Sequence, residues 1–147
     1  MPSPKFLLDT HTFIWFAMGE NLPKSIVDVI EKAQRESRLF MSDISTWETA
    51  MLATRNRISI TKDPLVWIKE AIELIGIQML RLLPDVVVDS CRLPDWDHKE
   101  PADRIIVSTA RIHQLTLLTA DEKIIAYSKK GHLEAKGFKK IESAKLG

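Results

Sequence analysis

Four carboxylates occupy places where a folded chain needs a reason to keep an acid: Asp9, Glu48, Asp103 and Asp121. Asp9 ends the apolar run Phe6-Leu7-Leu8, and Asp121 closes the run Leu115 to Leu118 through Thr119-Ala120. Asp103 follows Pro101, whose fixed φ and missing N–H suit the first helical position, so it falls in a first helical turn. Behind it Ile105, Ile106, Val107, Ala110 and Ile112 predict a buried helix. Glu48 sits among Ile44, Trp47, Met51 and Leu52, an apolar stripe at helical spacing, where the pattern asks for an apolar side chain. Four such acids brought together would repel one another. A hard divalent cation resolves the repulsion, and Mg²⁺ and Mn²⁺ prefer oxygen ligands. Such an ion activates water and polarises a phosphodiester, which suits hydrolysis of nucleic acid. Each acid also has an ordinary reading. Asp9 and Asp121 can cap helices, Glu48 can be an exposed helix residue or an ion-pair partner, and Asp103 can complement a helix dipole beside Arg104.

Other side chains could assist. Thr10 and Thr119 offer hydroxyls to a metal or a phosphate, or to local turn hydrogen bonds. Arg104 could hold a phosphate or pair with Asp103 or Glu100. Lys123, Lys129 and Lys130 form either a phosphate track or a solvated face. His11 and His98 lack the thiolate cluster or His-rich spacing of a zinc site and read as a packing residue and a loop residue. Trp15, Trp47 and Trp67 fall in helical patterns, so core or interface is expected. Trp96, in a polar loop, is either a base-stacking residue, a cover for a dimer edge or a surface anchor.

The elements that must place these residues alternate in type. Strands are expected at residues 5–9, 39–41, 77–83 and 115–118, with a last edge strand at 138–141. Helices are expected after Asp9 up to Gly19, from Leu22 to about Glu36, from Ser42 to Arg55, from Pro64 to Gly76, from Pro101, and from Glu122 to Tyr127. In the Pro64 helix Leu65, Ile68, Ile72 and Ile75 should face inward. Residues 85–91 are ambiguous, because Val86-Val87-Val88 favours strand while Pro84-Asp85 favours a helix start. This alternation implies an α/β fold: three layers, α/β/α, around a mostly parallel sheet of 4–5 strands, read as one domain over residues 1–147. Ligands of such sheets bind outside the carboxyl ends of the strands, where Asp9 and Asp121 fall.

Composition narrows the class. Apolar residues are 45% of the 147, which suits a globular domain with a full-sized core. A formal net charge of +1 disfavours a protein that grips nucleic acid by bulk charge. The single Cys91 excludes an intrachain disulfide framework. The start lacks a secretory apolar stretch, and no apolar run approaches the roughly 20 residues of a membrane span. A cytoplasmic protein with no membrane association is expected.

The motifs, taken in order, resemble a PIN domain, and specifically the VapC-type toxins of type II toxin–antitoxin pairs. Leu7-Leu8-Asp9-Thr10-His11-Thr12-Phe13-Ile14-Trp15 is similar to the family's opening strand and helix. Ser42-Asp43-Ile44-Ser45-Thr46-Trp47-Glu48 resembles its second acid motif. His98-Lys99-Glu100-Pro101-Ala102-Asp103-Arg104 resembles the subgroup pattern H-x-D-P-F-D-R, with Glu100 for an Asp and Ala102 for an aromatic. Leu118-Thr119-Ala120-Asp121 resembles the last acid motif. The resemblance covers roughly residues 5 to 127. It implies a metal-dependent endoribonuclease with Asp9, Glu48, Asp103 and Asp121 as its catalytic acids and Asp9, Asp103 and Asp121 as ligands of Mg²⁺ (or Mn²⁺). Water would attack an RNA phosphodiester, leaving a 5′-phosphate and a 3′-hydroxyl. It further implies a homodimer held inactive by a cognate VapB-type antitoxin, whose tail would lie in a groove supplied by the helices at 22–36 and 43–56.

Other classes fit less well. An aspartyl-nucleophile phosphatase wants a second Asp where this chain has His11. A phospho-receiver domain wants an acid pair at that edge and a lysine after a late strand. A non-catalytic module whose acidic pocket binds a basic partner segment is the alternative, and metal dependence separates it from a nuclease.

Overall fold

The computed structural model describes residues 2–142. Five parallel strands form one sheet: β1 (Phe6–Leu8), β2 (Leu39–Ser42), β3 (Gln78–Leu80), β4 (Thr116–Thr119) and β5 (Ala135–Gly137). Their order is β3-β2-β1-β4-β5, so β1 is central and the chain reverses direction of travel across the sheet after β3. Leu7 is opposite Phe40 on one side and Leu117 on the other. Helices α1 (Thr10–Met18) and α2 (Lys24–Arg35) link β1 to β2, and α3 (Asp43–Thr54) and α4 (Pro64–Ile75) link β2 to β3. Then α5 (Pro84–Cys91) and α6 (Pro101–His113) lead to β4, and α7 (Glu122–Ser128) leads to β5.

The strands' period of two divides the core between the sheet's two faces. Phe6, Leu8, Leu39, Met41 and Leu118 join one cluster with Phe13, Ile26 and Ile30. Leu7 and Leu117 join the other with Ile106, Ala110 and Ile124. This is the expected three-layer α/β/α architecture. Buried on both faces, the central strands read as continuous apolar runs.

Local chemistry sets most helix ends. Gly19 and Gly76 close α1 and α4 in the left-handed conformation, at φ 68° and 71°. Ser42 Oγ accepts from Ile44 N at 3.2 Å, and Asp63 Oδ2 accepts from Leu65 N at 3.1 Å ahead of Pro64.

Three expectations need correction, and one ambiguity is settled. The third strand spans only Gln78–Leu80; Leu82 and Leu83 are exposed on the approach to Pro84. Residues 84–91 form a helix, because Val86 and Ser90, four apart, are buried while Val87 and Val88 face out. Leu65 is 61% exposed and does not face inward. The last strand is Ala135–Gly137, paired to Leu117–Thr119, so residues 138–141 lie beyond it. They run back across the molecule instead: Phe138 N donates to Thr119 O (3.1 Å), and Ile141 N donates to Asn21 O (2.9 Å).

Candidate active site

At the carboxyl edge of the sheet a cleft of about 1330 Å³ opens, lined among others by Asp9, Glu48, Asp103 and Asp121. The acids come from four segments. Asp9 follows β1, Glu48 lies on α3, Asp103 is in the first turn of α6, and Asp121 follows β4. Parallel strands with paired registers bring Asp9 and the end of β4 side by side, since Leu8 is opposite Leu118.

Asp9 is the most tightly held. Its Oδ1 accepts from Thr12 N at 3.0 Å and Thr12 Oγ1 at 2.6 Å, so it caps α1. Its Oδ2 accepts from Thr119 Oγ1. Thr119 is fully buried, and its hydroxyl oxygen also accepts from Asp121 N at 3.0 Å. Asp121 Oδ1 accepts from Lys123 N (2.9 Å) and Ile124 N (3.0 Å), capping α7. The capping roles of Asp9 and Asp121 thus coexist with their places in the cleft.

Glu48 reaches the site by a different route from the one its sequence pattern suggested. The buried face of α3 is Ser45, Thr49 and Ala53, while Trp47 is 58% exposed and Met51 and Leu52 are half-buried. No apolar stripe surrounds Glu48. Small residues at i, i+4 and i+8 let α3 lie close to α1. Thr10 Oγ1 stands 3.0 Å from Ser45 Oγ and donates to the Glu48 carboxylate.

Asp103 is held by a residue the sequence reading set aside. His98 Nε2 lies 2.7 Å from Asp103 Oδ2, and its Nδ1 lies 3.4 Å from Lys123 Nζ. Trp96 secures that loop: its Nε1 donates to His98 O at 2.5 Å, and its ring meets Tyr127 edge-on at 4.8 Å. Trp96 is therefore an anchor. The spacing of five between His98 and Asp103, across a loop and a helix start, was the available clue. His11 is exposed, tilts against Trp15 at 5.5 Å and lines the cleft. Arg104 is not among the lining residues, whereas Lys129 is.

Burial pushes the carboxyls of Asp9, Glu48 and Asp103 above the usual carboxylate range. For Asp9 the hydrogen bonds of Thr119 and Thr12 oppose that rise. For Glu48 the bond from Thr10 opposes it, and the charges of Asp103 and Asp9 add to it. For Asp103 the bond from His98 opposes it, and the charges of Asp121 and Asp9 add to it. The four acids thus form one electrostatic group. Their oxygen donors suit a hard cation such as Mg²⁺ or Mn²⁺. Among the described residues no three His, Cys, Asp or Glu side chains are gathered closely enough to hold an ion. Each carboxylate is turned toward its own protein donor.

A parallel α/β sheet with acids on its carboxyl edge defines the class, and the PIN domain family model matches residues 6–130. The chain is 31% identical over 119 residues to Ribonuclease VapC22 of Mycobacterium tuberculosis, covering 80% of this chain and 88% of that protein. The chain belongs to the PIN-domain family, in its VapC-type group. Solved structures of the same fold include a chain of VapBC2 from Rickettsia felis bound to a DNA fragment from their promoter. It has a TM-score of 0.66 and 13% identity, covering 90% of this chain and 98% of that one. A chain of VapBC-1 from nontypeable Haemophilus influenzae gives a TM-score of 0.60 at 18% identity, covering 90% and 96%. A chain of FitAcB from Neisseria gonorrhoeae gives 0.61 at 18%, covering 88% and 95%. No helix among the described residues is long and apolar enough to cross a membrane.

Proposed function

We propose that the cleft hydrolyses RNA phosphodiester bonds, that Asp9, Glu48, Asp103 and Asp121 are its working groups with Mg²⁺ or Mn²⁺, and that the chain is the toxin of a toxin–antitoxin pair. The carrying observation is the electrostatic one. Four acids from distant segments face one cleft; burial destabilises Asp9, Glu48 and Asp103 as anions, and the charges of neighbouring acids add to this at Glu48 and Asp103. The kinship with a protein named a ribonuclease supplies the substrate class.

When bound, the cation supplies positive charge that makes water nucleophilic near neutral pH and offsets charge gathering on the phosphate. Asp9, Asp103 and Asp121 would hold it once Asp103 turns from His98 toward Asp9, since as they stand the acids are not gathered closely enough to hold an ion. Asp9 is a fixed post, because both of its oxygens are held by the hydroxyls and backbone of the core. Asp121 lines the cleft and spends Oδ1 on the α7 cap, in which Oδ2 takes no part. Glu48, kept in place by Thr10, is suited to accept a proton from the attacking water, since burial raises its pKa and with it its basicity. Thr10 and Thr119 act through the acids they hold. Thr119 is too deeply buried to touch a substrate.

A VapB-type antitoxin is the proposed partner, with the chain working as a homodimer. A toxin–antitoxin complex from Klebsiella pneumoniae is among the solved structures of this fold, with a TM-score of 0.55 at 21% identity, covering 83% of this chain and 91% of that one. The antitoxin's tail is proposed to lie between α2 and α3, where the partly exposed Val27 and Val29 and the exposed Trp47 offer apolar side chains.

The test is RNA cleavage by purified wild type and Asp103→Asn, each with Mg²⁺, Mn²⁺ or a chelator. Cutting by wild type alone, and only with metal, is expected. Equal cutting by a folded Asp103→Asn protein overturns the assignment. No cutting by either, with metal bound to neither, supports a module whose acids serve a basic partner segment.

A further inference from the structure

The cleft has a second end that the acids do not explain. Trp15 lies six residues along the chain from Asp9, about 9 Å at 1.5 Å per helical residue. Its indole is only half-buried and lines the cleft. The segment after β5 builds the wall beside it. Phe138 meets the indole edge-on at 6.4 Å, and Lys140 Nζ lies 5.5 Å from the ring centre. Asn21 clamps this wall. With its amide turned to satisfy both neighbours, its side chain accepts from Trp15 Nε1 (3.3 Å) and donates to Ile141 O (3.0 Å). Lys129 and Lys139 also line the cleft. No ion pair among the described residues joins Lys129, Lys139 or Lys140 to an acid. One cleft therefore holds an acidic end and, near it, a clamped indole with Lys140 at its ring and Lys129 and Lys139 on the same lining.

We propose that this basic, aromatic end binds the single-stranded RNA flanking the bond to be cut, with a base stacked on Trp15 and the flanking phosphates on Lys139 and Lys140. The inference rests on the nuclease reading of the acidic end. Its chemistry is independent of that reading. Every base has a π-face, so a fixed indole accepts any unpaired base, and lysines that track the backbone add affinity that falls with salt. A duplex would bury its base faces and could not use the indole. The arrangement also answers the +1 net charge. Nucleic-acid affinity here comes from a local wall, and bulk charge is not required.

The experiment measures binding of a short fluorescein-labelled single-stranded RNA in chelator, by anisotropy and by quenching of tryptophan fluorescence, across a salt series. Asp103→Asn should bind at least as tightly as wild type while failing to cut when metal is added. Lys139→Ser with Lys140→Ser, both exposed and so harmless to folding, should reduce the steepness of the log–log salt dependence by about 1.4, at roughly 0.7 per phosphate contact. Trp15→Ala, checked for folding by circular dichroism, should bind about 10-fold more weakly and lose most of the quenching. Unchanged binding and quenching in both variants overturns the inference and leaves the nuclease reading standing. Normal cutting by Asp103→Asn overturns the nuclease reading, and the binding series still judges this wall. Tight binding of an acidic polypeptide of glutamates in place of the RNA overturns the proposed ligand. Equal affinity for the duplex form does the same.

Discussion

Asp9 and Asp103 face the same cleft and are held in opposite ways. Asp9 is buried, and its partners are core hydroxyls and backbone from α1 and β4, elements anchored in the sheet. Asp103 is partly exposed, and its partner is a histidine on a loop pinned by Trp96. One wall is preorganised by the fold, and the other is held by a contact that can be exchanged. On the proposed reading, a site that takes in a cation and releases products would gain from both: a rigid post that need not reorganise, and an opposing acid that can turn.

The largest effect should come from the acids themselves. Asp9→Asn and Asp103→Asn should each lower metal-dependent RNA cleavage by on the order of 10³-fold. Circular dichroism should show both folded. Equal, small losses would break the idea that either wall is essential.

The supporting residues sharpen the contrast. Thr119→Val removes the donor to Asp9 and the acceptor for Asp121 N, so it should cost about 1–3 kcal/mol in denaturant unfolding and also lower activity about 10–100-fold. His98→Ala should lower activity by roughly 10-fold with little change in stability, because its contact lies at the rim. If His98→Ala destabilises as much as Thr119→Val, the two walls are equally structural and the comparison fails.

A purely structural change beside the basic end comes next. A Cβ at Gly137 would lie 2.7 Å from Ile125 Cδ1 and Cγ1, both side-chain atoms. Gly137→Ala should therefore cost about 1–3 kcal/mol by forcing Ile125 to repack, read as a lower unfolding midpoint.

The smallest effect is in pH. Asp103 has a folded-state pKa raised above its unfolded value, so protonation favours the folded state. Its contribution is fully present below the ordinary Asp range and is lost as pH rises through the raised value. In chelator, wild type should gain stability relative to Asp103→Asn as pH falls from neutral toward that range. A difference that does not vary with pH, followed by thermal unfolding, would remove the burial argument for this acid.

Much of this was legible from short-range chemistry. Gly19, Gly76, Ser42 and the Asp63-Pro64 pair mark helix ends through contacts spanning a few residues, so their neighbours suffice to read them. Alternation of apolar runs with helical periods announced the parallel sheet, and the position of Asp9 and Asp121 after strands announced the edge where they stand. Where local signals conflicted or misled, a tertiary contact decided. Val86-Val87-Val88 favours strand, yet Val86 and Ser90 pack inward and Asp89 pairs with Arg111 of α6 (3.0 Å), so the segment is helical. On α3 the apolar residues seemed to mark the inner face, but the face packed inward carries Ser45, Thr49 and Ala53.

The sequence by itself determined the order of elements, the class of fold and the identity of the acids, because apolar period, caps and residue type are properties of neighbouring residues. Only the tertiary structure decided what each acid touches. Thr119 lies 110 residues from Asp9, and they meet because β1 and β4 pair in one register. His98 reaches Asp103 because Tyr127 and Trp96 hold its loop. Phe138 and Lys140 reach Trp15 because the chain after β5 turns back to Asn21. A pairing across so long a stretch depends on the packing of everything between its partners, and no local pattern encodes that sum.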